Sequence, residues 1–274
     1  MKEIQIDNEI LNIKDIIRYF AYSCNGDWDE IMTAIKNKQE CSPNDVKRIQ
    51  NQIGDSITVL DEKYPNTLKN SNRPPFVLFY RGNLELIQDS SNTLTVLNDH
   101  LASNYATETI EKICIELAKD LIFVMPFGYK KSNCLIRKLI DKGAKVVAVL
   151  DKGIDTYNDD NKELFEELCE NHLVISEYPK TVLNKTQKTE FHAAKLMASL
   201  SSNTLVGGTT KRSSQNVGLS IAIANNANIM CIPFNAGSNY EANSLIKMGA
   251  FMVEDYKDVI EVLELDKRGI RNGK

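Results

Sequence analysis

Two lysine-rich stretches are the residues of this 274-residue chain best suited to chemistry, and that chemistry is anion binding. Residues 128–145 hold six basic side chains against Asp141, and residues 180–212 hold six against Glu190, so each stretch has a net charge of +5. The whole chain has a net charge of −4, so the remainder sums to −14. If the two stretches meet in the fold, they form a site for a polyanion; the alternative is that these lysines only solvate helix surfaces.

Other reactive side chains show no pattern of a catalytic or metal site. The histidines (His100, His172 and His192) have no second ligand at zinc spacing, and the six cysteines form no Cys-x-x-Cys pair. Gly207-Gly208-Thr209-Thr210 is similar to a phosphate-binding turn, yet residues 211–218 contain no carboxylate to activate water. We therefore expect no catalytic residue, no metal and no cofactor. Scattered cysteines are typical of reduced thiols, which predicts a cytoplasmic protein.

The elements that must position the basic residues are short apolar runs separated by helical stretches. The runs lack in-out alternation, which is typical of strands covered on both faces, so they predict a doubly wound α/β fold with a mainly parallel sheet. Ligands of such folds bind beyond the carboxyl ends of the strands, where Lys130, Lys131, Lys211 and Arg212 are expected. The runs are 94–97, 121–125, 146–150, 173–175, 204–206, 229–232 and 251–253.

The rest of the chain divides by composition. Residues 1–58 predict a small helical N-terminal domain, because apolar side chains recur every three to four positions. Residues 59–92 are rich in proline and predict an extended linker and an entry strand. Residues 93–265 form the α/β domain, and residues 266–274 are a basic tail. No run approaches the ~18 apolar residues of a membrane helix, and the N-terminus lacks the apolar core of a signal peptide.

Four blocks of sequence indicate a family. The stretch YPNTLKNSNRPPFVLFYRGNLELI is followed along the chain by GAKVVAVLDKGIDTY, LVISEYP and CIPFNAGSNYEANSLIKMGA. In this order, from about residue 61 to 255, they resemble the entry signature and later motifs of the DNA-processing protein A (DprA/Smf) family. The resemblance implies a Rossmann-like domain and a non-enzymatic homodimer. It also implies binding of incoming single-stranded DNA and help in loading the RecA recombinase during natural transformation and recombination.

The strand-end motifs depart from the family pattern. After the first strand the family has a glycine and an arginine, whereas this chain has Asn98 and His100, with Ser103 retained in kind. Asparagine restricts the close backbone approach that glycine allows, and histidine is not a permanent charge. The family's Arg-Asn-Arg becomes residues 193–195, Ala-Ala-Lys, so one positive charge of two remains. From a later serine-rich element, Ser213 is the residue that the resemblance transfers.

The sequence thus predicts an electrostatic single-stranded DNA site in which no bond is made or broken. Lysine and arginine side chains contact phosphates, and a histidine and a serine line the first turn. Two alternatives stay open: a degenerate paralogue with a relaxed site, or a nucleotide-binding sensor or hydrolase-like protein that uses the same cleft. The predicted DNA-binding residues are His100, Ser103, Lys130, Lys131, Lys145, Lys195, Lys211, Arg212 and Ser213.

Overall fold

The first described residues form a β-hairpin followed by three helices, and we call this part the helical module. Each of its first two helices begins at a capping side chain: Asn12 accepts the backbone N–H of Lys14 at 3.0 Å, and Asp27 accepts that of Asp29 at 3.0 Å. The structure, a computed structural model, describes residues 3–6, 9–157 and 159–267. The module contains the antiparallel hairpin β1 (Glu3–Ile6) and β2 (Glu9–Asn12), then α1 (Ile13–Ser23), α2 (Trp28–Lys36) and α3 (Pro43–Ile53).

A mixed sheet of nine strands forms the centre of the described molecule, in the order β11-β10-β9-β5-β6-β7-β8-β4-β3. The strands from β5 to β11 run parallel to their neighbours, and β4 joins β8 antiparallel, with β3 antiparallel at the edge. The strands are β3 (Ser56–Thr58), β4 (Val77–Gly82), β5 (Thr93–Leu97), β6 (Ile122–Pro126), β7 (Lys145–Val149), β8 (Leu173–Ser176), β9 (Asn203–Val206), β10 (Asn228–Cys231) and β11 (Phe251–Met252).

Helices cover both faces of this sheet. Side chains of α5, α6, α7 and α11 pack in one apolar cluster with the helical module, while α4, α8, α9 and α10 pack in a second cluster on the opposite face. The predicted doubly wound α/β fold is confirmed. The helices are α4 (Asn66–Lys69), α5 (Asn104–Glu116), α6 (Lys130–Asp141), α7 (Lys162–Asn171), α8 (Gln187–Ser199), α9 (Gln215–Ala224), α10 (Ala242–Lys247) and α11 (Tyr256–Lys267).

Three stretches differ from the pattern read in the sequence, and the first is the hairpin of β1 and β2, which lies where the sequence predicts a helical domain. Ser56–Thr58 lies in the large sheet because Ile57 pairs with Leu78 of β4 and is buried, so the sheet begins before the predicted linker. At the other end, α11 continues to Lys267, two residues into the predicted tail. The rest of that tail, residues 268–274, lies outside the described residues.

The strand order reverses beside β5. The chain runs from β5 through β6 and β7 to β8 in one direction, then crosses over to place β9 on the other side of β5. The loops that leave β5 and β9 therefore diverge to opposite faces and open a crevice at the carboxyl edge. Asn98 follows β5 there, and Gly207 follows β9. We call this place the switch point.

Candidate nucleic-acid interface

The structure brings most of the predicted site residues to the carboxyl edge of the sheet. One group follows β5, a second opens α6 after β6, and a third lies in the loop between β9 and α9. This convergence is what parallel strands require, because their carboxyl ends share one edge. The residues gathered there are His100, Ser103, Lys130, Lys131, Lys211, Arg212 and Ser213.

Lys145 and Lys195 lie elsewhere, apart from the site residues with which the sequence analysis groups them. Lys145 is the first residue of β7, at the amino end of the strand, and its Nζ donates to the carbonyl oxygen of Asn171 at 3.1 Å. Lys195 lies within α8 and donates to the carbonyl oxygen of Arg73. Burial lowers the pKa of Lys195, which is partly offset by the charge of Glu177.

The switch point is filled by the protein itself. Asn98 Oδ1 accepts the backbone N–H of Gly208 at 2.8 Å, and Gln215 Nε2 donates to the carbonyl oxygen of Asn98 at 3.1 Å. A Cβ on Gly207 would lie only 2.6 Å from Asn98 Oδ1, so glycine is required for this close approach. The carboxamide of Asn98 thus takes the N–H that an open turn would present to a phosphate oxygen.

Both predicted serines cap backbone groups. Ser103 Oγ accepts the N–H of Ala106 at 3.2 Å at the start of α5. Ser213 Oγ accepts the N–H of Gln215 at 3.2 Å, and Ser213 is 8% exposed. Their hydroxyl groups therefore stabilise the loops that hold the site.

Lysine and arginine side chains surround these loops. Lys131 donates to the carbonyl oxygen of Ala102 and ties the start of α6 to the β5 loop. The side chains of Lys130, Lys211 and Arg212 are exposed. A groove of about 650 Å³ runs between the loops after β9 and β10, with Lys211, Arg212 and Tyr240 along it. Exposed cations therefore stand at the α6 start and along this groove.

Tyr129, at the start of α6, is the centre of a second group of aromatic and charged side chains. Its ring stacks with the imidazole of His100, with centroids 5.7 Å apart, and Lys185 Nζ lies over the ring, 4.4 Å from its centroid. Its hydroxyl donates to Asp151 Oδ2 at 2.6 Å and lies 3.2 Å from Glu190 Oε1. Burial raises the pKa of Asp151 above its ordinary value, although the Tyr129 hydrogen bond and the charge of Lys185 lower it in part.

An opening of about 270 Å³ lies beside Tyr129, and we call it the side cavity. It is bounded by the loops that follow β6 and β7 and by residues 183–185. Its lining includes Tyr129, Asp151, Lys152, Tyr157, Leu183 and Lys185. The signal available in the sequence was Asp151, a carboxylate that directly follows an apolar strand.

The end of β8 is closed, although it also carries an acid. Glu177 is 9% exposed, and its Oε1 is buried with no hydrogen-bond partner among the described residues. Burial raises the pKa of Glu177 to about 7. His192 Nδ1 lies 3.8 Å from Glu177 Oε2 and 2.7 Å from the Tyr178 hydroxyl, and burial lowers the pKa of His192 to about 4. Gly26 of the helical module packs directly against this strand end.

Within the part of the chain that the structure describes, no group of three or more His, Cys, Asp or Glu side chains could hold a metal ion. None of the described helices has the length and apolar character needed to span a membrane.

The fold and this edge define a Rossmann-like protein whose strand-end loops present cations and aromatic faces at a topological switch point. Residues 55–264 match the family described as DNA recombination-mediator protein A, and the chain belongs to that family. The resemblance read from the sequence blocks is confirmed.

Known relatives agree with this assignment. DNA processing protein DprA of Streptococcus pneumoniae is 26% identical over 215 residues, 76% of this chain and 74% of that protein. The X-ray structure of DprA from Streptococcus pneumoniae superposes with a TM-score of 0.72 at 22% identity, covering 92% of this chain and 93% of that one. DprA from Helicobacter pylori, a protein described for its single-stranded DNA binding mode, superposes with a TM-score of 0.66 at 18% identity, covering 78% and 97%. Below 25% identity these superpositions show the fold.

Proposed function

We propose that this chain binds single-stranded DNA along the carboxyl edge of its sheet, by charge and without a catalytic step. The observation that supports this most is the placement of Lys130, Lys211 and Arg212, which come from distant parts of an acidic chain yet stand exposed at one edge. A flexible polyanion is the ligand that such spaced cations suit, because each phosphate meets a cation in turn.

The DNA strand follows the groove beside Lys211 and Arg212, passes the His100 ring and reaches Lys130 at the start of α6. The N–H groups of that helix start add a favourable field for a phosphate. Lys145, at the opposite end of a five-residue strand, stands roughly 13–16 Å from this path at ~3.3 Å per residue. We therefore assign it no phosphate contact, and we assign none to Lys195, whose ammonium group is held by the backbone of Arg73.

Membership of the family supports a biological setting for this proposal. The chain acts in the cytoplasm as a non-enzymatic DNA-processing protein in natural transformation, and it helps load the RecA recombinase on the strands it holds. It works as a homodimer. Two large apolar side chains next to β11, Met248 at 75% and Met252 at 52% exposure, give a second copy an apolar surface to cover.

Fluorescence anisotropy with an oligothymidine of about 12 nucleotides tests the binding mode. Affinity should fall as salt rises, with a log-log slope of about −0.7 for each phosphate neutralised on a single strand. An affinity that does not change with salt would reject the electrostatic mechanism, and no binding at low salt would favour the degenerate paralogue. Sedimentation of the free protein tests the dimer, and a strand-exchange assay with RecA tests the loading.

A nucleotide sensor that uses the same crevice is the competing function. Asn98 opposes it, because its carboxamide occupies the place where the β9 turn would bind a phosphate. A ligand that binds only the folded state stabilises it by an amount that grows with the logarithm of the ligand concentration divided by its dissociation constant, and so raises the melting temperature. Stabilisation by a small nucleotide but not by an oligonucleotide would therefore support the sensor.

A further inference from the structure

The side cavity has a chemical character different from the rest of the carboxyl edge. Its deepest polar group is Asp151, a carboxylate that is 5% exposed, whereas the edge outside presents lysine and arginine. A carboxylate is an acceptor only, so the group that enters must donate hydrogen bonds. The negative charge of Asp151 disfavours a phosphate at this position of the cavity.

The walls of the cavity suit a flat, partly apolar ligand. The aromatic rings of Tyr129 and Tyr157 line it, and Leu183, whose side chain is 66% exposed, stands at its rim. At about 270 Å³ it is slightly smaller than the ~300–1,000 Å³ of sites for drug-sized molecules, which fits one base. Lys152 and Lys185 border it and suit the phosphate that accompanies that base.

We propose that the side cavity takes one guanine base of the bound strand, with its Watson–Crick edge on Asp151. Guanine presents two adjacent donors, N1–H and N2–H, which match the two oxygens of one carboxylate. Asp151 Oδ2 already accepts from the Tyr129 hydroxyl, and its second lone pair is the one that would accept from the base. Adenine and cytosine place a ring-nitrogen acceptor beside their amino group, and thymine flanks its single N–H with carbonyl oxygens, so Asp151 repels part of each. This inference rests on the proposed function, since the base arrives on a strand held by the neighbouring lysines.

The test compares oligothymidines of about 12 nucleotides that carry a single central guanine, inosine, adenine or cytosine. We expect the guanine strand to bind about tenfold more tightly than oligothymidine, as one bidentate contact to a base discriminates. Inosine lacks the N2 amino group and should lose most of this gain. Equal dissociation constants for all strands, with oligothymidine itself bound, would overturn the guanine cavity but not the DNA function.

Variants locate the effect. Asp151→Asn keeps the size of the side chain but replaces one acceptor oxygen by a donor, so it should abolish the guanine preference and leave oligothymidine binding within about twofold. Asp155→Asn is the matched control in the same loop, because Asp155 pairs with Arg81 at 2.8 Å and does not line the cavity. Preference that survives in Asp151→Asn would reject the assignment.

A second measurement keeps the inference testable if no oligonucleotide binds. The melting temperature of the protein should rise with deoxyguanosine monophosphate and not with thymidine monophosphate, and the rise should vanish in Asp151→Asn. That result, without binding of any oligonucleotide, would contradict the proposed function and support the cavity. No shift with either nucleotide and no guanine preference would reject the cavity.

Discussion

Asp151 and Glu177 stand just after the adjacent parallel strands β7 and β8, and the side chains of both are largely buried, yet their surroundings differ. Asp151 accepts a hydrogen bond from Tyr129 and borders an open cavity. Glu177 has one oxygen without a hydrogen-bond partner among the described residues and lies beneath the helical module at Gly26. The module therefore determines which strand ends a ligand can reach: it seals β8 and leaves β7 open.

The most severe test of this comparison removes the tight fit of the module on β8. Gly26 has φ +74°, and a Cβ there would lie 2.7 Å from the carbonyl oxygen of Glu177. Gly26→Ala should lower the free energy of unfolding by about 3 kcal/mol, because a left-handed backbone and a clash with backbone atoms add. Urea denaturation measures the loss.

Gly143 is the matched control. It also has a positive φ, +84°, but a Cβ there would meet nothing within 4 Å. Gly143→Ala should cost about 1 kcal/mol from backbone strain alone. Equal losses in the two variants would mean that the module does not press on the end of β8, and the comparison of the two strand ends would fail.

The second prediction concerns the buried charge of Glu177. Its pKa of about 7 exceeds that of an unfolded glutamate, so the folded state holds a proton that the unfolded state has lost, and stability falls as pH rises towards 7. Glu177→Gln should raise the free energy of unfolding at about pH 8 by about 2 kcal/mol, because the buried charge is removed. Urea denaturation across this pH range measures the change.

His192 makes stability depend on pH in the opposite direction. Its pKa of about 4 lies below that of an unfolded histidine, so its contribution to stability is lost as pH falls from about 6.5 to 4. In the wild type, the opposite pH dependences that Glu177 and His192 give to the free energy of unfolding offset each other between about pH 4 and 6.5. Glu177→Gln should therefore show stability that rises with pH between about 4 and 6.5, and a flat profile there would contradict the buried pair.

The third prediction separates the two edges of the sheet. Lys130→Glu with Lys211→Glu reverses two exposed cations of the carboxyl edge and should weaken oligothymidine binding at least tenfold at low salt, about 1.4 kcal/mol. Lys145→Glu reverses one cation at the amino edge, half of that charge change, and should alter the dissociation constant by less than about twofold. Anisotropy titrations compare the dissociation constants of the variants. Equal weakening would mean that the DNA does not bind along the carboxyl edge.

Periodicity and charge predicted the doubly wound fold and the gathering of His100, Lys130 and Lys211 at one edge, because strand ends follow from local apolar runs. Lys145 was misplaced because it precedes its strand, and a count over residues 128–145 does not distinguish the two ends of β7. A net charge summed over a stretch of sequence does not show whether its residues share one surface of the fold.

Contacts between distant segments could not be read from the sequence. Tyr129 meets Asp151 and Glu190 only because β6, β7 and α8 converge, and the sequence alone does not fix that convergence to the 2.6 Å of a hydrogen bond. Likewise, the exchange of a family glycine for Asn98 was visible, but its hydrogen bond to Gly208 was not. From the sequence, the loss of glycine indicates a turn that binds phosphate less well. In the structure, the Asn98 carboxamide occupies the position where a phosphate would bind.

The smallest expected effect therefore concerns Asn98. Asn98→Gly should free the N–H of Gly208 at the switch point and tighten oligothymidine binding by about threefold, since a backbone donor becomes available to a phosphate. It should also lower the free energy of unfolding by about 1 kcal/mol through the lost hydrogen bond and the added backbone freedom. Asn98→Asp is the control, because it retains an acceptor for Gly208 but adds a charge that repels phosphate, so it should weaken binding. If Asn98→Gly and Asn98→Asp change affinity in the same direction, the DNA does not pass the switch point, and its path is confined to the open side of the edge near Lys130.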